Sequence, residues 1–254
     1  MNHSSPLRRW VRALPLRTLA CAVIYGLCTL AVHAAQLAEV ARAAIPDTIE
    51  QRVVACTACH GDRGVGGSDP TSAPRLAGQP VAYLMLQLKY FQSGQRKNDA
   101  MEYITQPLTP AYAREIAEYF ASQPMNYRPT ALATATADVM RRGEQVVLLG
   151  DPTRGVPSCA SCHGSHLTGR APQIPGLTGL SYEYLRAQLV QWRSHSRAAD
   201  RPYCMSVVAN RMSETDVQAA AMWLAGRNPA DVASGDAEPP LPEWCVIDAA
   251  ETAP

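Results

Sequence analysis

The chain has 254 residues, 47% hydrophobic and 18% charged, a globular composition that excludes a disordered chain. Its formal net charge is +1, from 23 basic and 22 acidic residues, and Lys89 and Lys97 are its only lysines. The clustered basic charge that a nucleic-acid footprint requires is missing.

Residues 1–34 read as an export signal that is cleaved. Arg8, Arg9, Arg12 and Arg17 precede the uncharged run TLACAVIYGLCTLAV, and small residues surround Ala34. The run is 15 residues long, short of the ~20 that a membrane-spanning helix needs, so a retained membrane anchor is the weaker alternative. Arg8-Arg9 is a weak match to a twin-arginine signal, and TLAC a loose match to a lipoprotein site. Cleavage lowers the basic count from 23 to 19 against 22 acids, near −3 for the mature chain.

A helix over DTIEQRVVACTA leads into CTACHG, residues 56–61. Pro80 opens the next helix, with Val81, Leu84, Leu88 and Phe91 on one face. Thr109 and Pro110 read as N-cap and first residue of another, whose apolar stripe is Ala113, Ile116, Ala117 and Phe120. The stretch SQPMNYRPTALATATA reads as a linker. The pattern then returns. A helix over ADVMRRGEQVVLLG precedes CASCHG at residues 159–164, and Ser213 caps a helix that buries Val217, Ala220, Ala221 and Leu224. The tail, SGDAEPPLPEW, is proline-rich and irregular.

The two halves are a tandem duplication of a unit of ~90 residues. PRLAGQPVAYLMLQL echoes PGLTGLSYEYLRAQL, aligning Pro74, Tyr83 and Gln87 with Pro175, Tyr184 and Gln188. MEYITQPLTPAYAREIAEYF aligns with MSVVANRMSETDVQAAAMWL without a gap, setting Met101 over Met205, Leu108 over Met212 and Tyr119 over Trp223. β-periodicity is scarce, so the expected class is all-α.

Of eight cysteines, Cys21 and Cys28 leave with the signal. Exported cysteines suit a disulfide scaffold, and two C-x-x-C pairs suit zinc. The histidine after each pair points elsewhere, because C-x-x-C-H is the attachment signature of c-type haem. Two thiols reach the two vinyl groups of one porphyrin, and the adjacent imidazole meets the iron. Two covalently bound haem c groups are therefore expected, on Cys56 and Cys59 with His60, and on Cys159 and Cys162 with His163.

The sixth ligand separates electron carriers from ligand-binding sites. Met101 and Met205 coincide in the repeat and are read as lying in connections outside the helices. They are the expected ligands, with Met212 and Met125 behind them. Met85, Met140 and Met222 read as core filler. His166 reads as solvent-facing, and His195, aligned with Gly94, has no support from the repeat. Cys204 and Cys245 are expected to form a disulfide that pins the Met205 segment; the alternative is Cys204 as a thiolate iron ligand.

CTACHG and CASCHG, PRLAGQ…YL…QL…F…G and M…L…IAEYF, over roughly residues 40–228, resemble the di-haem cytochrome c4 family. The resemblance implies two tandem class I cytochrome c domains joined by a short linker. It also implies that the Pro74 and Pro175 carbonyls orient the proximal imidazoles, and that Arg96 lies near a haem propionate. The second repeat departs from the pattern, with HSRAAD in place of GQRKND and with the Cys204/Cys245 pair.

The expected partition is signal 1–34, first haem domain 35–124, linker 125–136, second haem domain 137–230 and tail 231–254. The expected function is periplasmic electron transfer between a respiratory donor and a terminal oxidase or other reductase, with redox proteins as partners and no catalytic residues. One alternative is the cytochrome subunit of a periplasmic dehydrogenase. Another is a sulfur-oxidising haem enzyme using Cys204.

Overall fold

The computed structural model describes residues 24–34, 36, 47–67, 73–125, 127, 135–197, 204–232 and 240–245. The basic part of the signal, most of the linker and much of the tail lie outside the described residues. The chain forms two compact units, Met1–Asp47 and Thr48–Pro254. In the first, residues 24–34 are helical and expose Ile24, Tyr25, Leu27, Leu30 and Val32. No helix among the described residues is long and apolar enough to cross a membrane.

The second unit holds both repeats. The first repeat comprises α1 (Ile49–Arg52), α2 (Val54–His60), α3 (Val81–Gln92), α4 (Asp99–Thr105) and α5 (Pro110–Ser122). The second comprises α6 (Ala137–Leu148), α7 (Cys159–His163), α8 (Tyr182–Arg193), α9 (Cys204–Arg211) and α10 (Glu214–Ala225). A two-stranded antiparallel ribbon, β1 (Gly169–Arg170) with β2 (Ile174–Pro175), is a small element the sequence pattern did not announce.

The caps follow from side-chain chemistry. Thr109 accepts from the Tyr112 amide and Pro110 occupies the first turn of α5, where no partner for an N–H is needed. Ser213 accepts from the Asp216 amide while Asp216 reaches back to the Ser213 amide, closing a capping box on α10. Two of the three expected stripes are fully buried: Ala113, Ile116, Ala117 and Phe120 in α5, and Val217, Ala220, Ala221 and Leu224 in α10. In α3, Leu84 and Phe91 are buried, while Val81 and Leu88 are half-buried.

Each repeat has its own apolar core. Val53, Leu84, Ile116, Ala117 and Phe120 form the first. Val146, Val147, Leu167, Leu185, Val208, Met212, Trp223 and Leu224 are among those forming the second. In the second, α6 crosses α10 at Gly143, where a Cβ would stand 2.3 Å from the Ala219 carbonyl oxygen and 2.6 Å from Trp223 Cβ. Only glycine permits that approach.

The two methionine segments differ from the expectation. Met101 lies inside α4 and Met205 inside α9, not in loops. These helices are seven and eight residues long, about two turns each, too short to be stable without tertiary contacts. The Asn98 side chain accepts from the Met101 amide 3.0 Å away and starts α4.

Candidate functional site

Both C-x-x-C-H motifs end a helix. α2 carries Cys56, Cys59 and His60, and α7 carries Cys159, Cys162 and His163. The next residue is glycine each time, with φ +77° at Gly61 and +86° at Gly164, a backbone conformation that side chains rarely adopt and that stops the helix. His60 and His163 are buried, at 6% and 5% exposure.

Each ring is held the same way. Nδ1 of His60 lies 2.7 Å from the Pro74 carbonyl oxygen, and Nδ1 of His163 lies 2.7 Å from that of Pro175. A carbonyl only accepts, so Nδ1 carries the proton and Nε2 keeps its lone pair. Burial pushes both imidazoles below their ordinary pKa, against the pull of the carbonyl bond; the Arg96 charge adds to the lowering at His60. Each is therefore the neutral imidazole that a metal needs.

The four motif cysteines are not paired with one another. Burial raises the Cys56 thiol and pushes Cys159 up to about 12. Among the described residues no group of three or more His, Cys, Asp or Glu is gathered for a metal ion, so the two C-x-x-C pairs do not converge on zinc. Cys204 is bonded to Cys245, which removes the reading of Cys204 as a thiolate ligand.

The methionines separate by location. Met101 and Met205 are half-buried, and Met205 packs against the core that Cys159 also touches. Met212, at 3% exposure, is inside that core, like its repeat counterpart Leu108 beside the first. Met85 and Met140 pack as core filler, and the Met125 sulfur accepts from the Tyr127 hydroxyl at 2.9 Å. His166 Nδ1 sits 3.2 Å from the Pro229 carbonyl oxygen. His195 is exposed in a turn with φ +57°, the conformation its counterpart Gly94 adopts at +72°.

A polar network joins the repeats. Arg96 donates to Gln87 (2.9 Å), Gln188 (3.0 Å) and the Tyr184 hydroxyl (2.9 Å). Its counterpart Arg197 donates to Gln188 (2.6 Å) and Gln87 (2.7 Å) and bonds Tyr83. Both guanidinium groups are buried, and among the described residues neither meets a carboxylate. Burial and the Arg96 charge lower the Arg197 pKa. Burial raises the Tyr83 phenol; at Tyr184 burial acts the same way, but the two guanidinium charges outweigh it and draw the phenol down.

A second set of bonds lies beside it. Arg75 donates twice to the Thr178 carbonyl, at 2.9 and 3.2 Å, while Gln79 and Gly176 exchange bonds of 3.0 and 2.8 Å. Sequence reasoning found Arg96 but missed Arg197, Arg75 and Gln79. The available signal was the echo of Tyr83 and Gln87 in Tyr184 and Gln188, since identical polar residues on matched helices mark a shared surface.

These surroundings fit haem. Each motif supplies two thiols and an imidazole with Nε2 free. The buried guanidinium pair supplies positive charge without acidic side chains, which suits the carboxylates of two porphyrins.

No family model matches the chain. It is 38% identical over 172 residues to a thiosulfate dehydrogenase electron acceptor of Thiomonas intermedia, covering 68% of this chain and 78% of that protein. It is 34% identical over 175 residues to a cytochrome c4 of Thiocapsa roseopersicina, covering 67% and 86%. Among solved structures, the reduced recombinant cytochrome c4 of Pseudomonas stutzeri matches with TM-score 0.64 and 29% identity over 70% of this chain and 96% of that one. A thiosulfate dehydrogenase of Marichromatium purpuratum matches with TM-score 0.62 and 32% identity over 69% of this chain and 37% of that one. With two class I cytochrome c domains and two covalently bound haem c groups, the chain belongs to the di-haem cytochrome c4 family of electron carriers.

Proposed function

We propose that the chain takes electrons from a periplasmic dehydrogenase acting on thiosulfate or a related small sulfur anion and passes them to a terminal oxidase or other reductase. The observation that carries this reading is the 38% identity to a thiosulfate dehydrogenase electron acceptor. In this reading residues 1–34 are the export signal, 35–124 and 137–230 the two haem domains, 125–136 the linker and 231–254 the tail.

Cys56 and Cys59 anchor the first haem and Cys159 and Cys162 the second. His60 and Met101 would hold one iron, His163 and Met205 the other. Each haem supplies one reversible electron, with a thioether ligand favouring the ferrous state. The protein's part is to keep both coordination spheres closed, hold the imidazoles in one tautomer through Pro74 and Pro175, and fix the distance between haems through Arg96, Arg197, Arg75 and Gln79. Arg96 and Arg197 face the propionates. A subunit role within a dehydrogenase complex is the second reading, favoured by the match to part of the Marichromatium purpuratum enzyme.

Mixing the oxidised chain with a purified thiosulfate dehydrogenase and thiosulfate tests the proposal. Reduction of both haems is expected. A chain that ascorbate reduces fully but the dehydrogenase leaves oxidised contradicts the proposed donor.

A further inference from the structure

The helices that carry Met101 and Met205 begin differently. In α4, Asn98 and Glu102 close the N-terminus reciprocally. Asn98 Oδ1 accepts from the Met101 amide at 3.0 Å, and Glu102 Oε1 accepts from the Asn98 amide at 3.1 Å. The matched positions of the second repeat are Pro202 and Ser206. A proline side chain has no acceptor to cap with, and the Ser206 hydroxyl turns to the Trp192 carbonyl, 3.5 Å away. The approach is also longer, since Met101 follows Arg96 by five residues and Met205 follows Arg197 by eight. The sequence of the second repeat therefore offers no counterpart to the Asn98–Glu102 pair, and three more residues separate its arginine from its methionine.

At the same place the structure has a covalent bond. Cys204, the first residue of α9, is joined to Cys245 of the tail, 41 residues away. Cys245 is buried at 5% exposure, in a turn closed by its amide on the Pro242 carbonyl at 2.7 Å. The neighbouring Trp244 ring lies 5.3 Å from the Arg211 guanidinium at the other end of α9. Arg211 is fixed further by its bond to the Gly155 carbonyl and by Arg154 on its own carbonyl, both 2.8 Å. The tail thus grips α9 at both ends, with Met205 between.

We propose that the Cys204–Cys245 disulfide, with Trp244 laid on Arg211, is the positioning device for Met205. Tail residues 240–245 perform in the second repeat what Asn98 and Glu102 perform in the first. The proposal rests on Met205 being the sixth ligand of the second iron. Cys204, Cys245 and Trp244 act on the iron only through the helix. The disulfide limits how far α9 lifts, and so how often the second iron opens to an outside ligand. The first iron is indifferent to it.

Cyanide binding to the oxidised, full-length, di-haem chain reads this opening at each iron. The Cys204→Ser/Cys245→Ser chain leaves no thiol beside the iron. One of its two haems is expected to bind cyanide about tenfold faster, the other at the wild-type rate. Adding Pro202→Asn and Ser206→Glu rebuilds the cap and is expected to slow the fast phase again. Asn98→Ala is expected to speed the other haem instead. Unchanged rates in the serine chain, or equal acceleration of both haems, overturn the proposal. If the serine chain does not retain both haems, Trp244→Ala keeps the disulfide; about threefold acceleration at one haem is expected, and none overturns the proposal. Met205→Ala separates the two claims. If it leaves the methionine-to-ferric-iron absorption whole, the ligand assignment falls and this proposal with it. If it halves that absorption while the serine chain binds cyanide at the wild-type rate, only the positioning role falls.

Discussion

Arg96 and Arg197 form an isolated antiparallel bridge between the repeats, and each guanidinium reaches the glutamine of its own repeat and that of the other. Two like charges are thus buried together on neutral partners. Buried positive charge favours the ferrous haem, which carries one less positive charge than the ferric. Arg197→Met is therefore expected to lower the haem potentials by an amount on the order of 1 kcal/mol per electron. Spectroelectrochemical titration of both haems checks it, and a rise in either potential contradicts it.

The packing of Gly143 gives a stability prediction. A methyl at this position meets the Ala219 carbonyl at 2.3 Å, on backbone that cannot step aside without parting α6 from α10. Gly143→Ala is expected to cost about 1–3 kcal/mol despite the better helix propensity of alanine. Thermal unfolding of the haem-loaded chain measures it.

These features differ in how legible they are from sequence. The caps at Thr109 and Ser213 are readable because a hydroxyl before a helical stripe has a single local use. The C-x-x-C-H motifs stand out because haem attachment demands fixed spacing, and the disulfide is readable because Cys204 and Cys245 had no other partner. The helices around Met101 and Met205 are too short for a period to show. The Arg96–Arg197 network is legible only through the repeat, in the echo of Tyr83 and Gln87 in Tyr184 and Gln188. The local pattern of α3, which buries Gln87 with Leu84, Tyr90 and Phe91, does not tell what that surface will meet.

Asp216 sets an acid limit on the second repeat. Its carboxylate accepts from Arg142 at 2.6 Å and caps α10. Burial raises its pKa, but the bonds from Arg142 and Ser213 outweigh this and hold it below the usual carboxylate range. A lowered folded pKa gives stability that is fully present above the unfolded value, ~3.9, and is lost as pH falls through the folded value. Asp216→Asn is therefore expected to be less stable than wild type by about 2 kcal/mol near neutrality. The gap should narrow below about pH 4. Denaturant unfolding across pH checks this, and a gap that widens in acid contradicts it.

The methionines provide a three-way comparison. Met101→Ala and Met205→Ala are each expected to remove about half of the methionine-to-ferric-iron absorption, because the proposed function assigns one of them to each of the two irons. Met212, buried at 3% exposure, is core. Met212→Ala is expected to leave the absorption intact and to cost about 2–5 kcal/mol of stability. Visible spectra of the three oxidised variants, followed by their thermal unfolding, decide the assignment.

The most direct measurement is the mass of the denatured chain after acid–acetone extraction, for wild type and for variants lacking either cysteine pair. The account expects two haem adducts on wild type. Cys56→Ala/Cys59→Ala should keep one, on the fragment with Cys159 and Cys162, and Cys159→Ala/Cys162→Ala should keep one, on the fragment with Cys56 and Cys59. A wild-type chain with fewer than two haems, or a variant that keeps both, would contradict it.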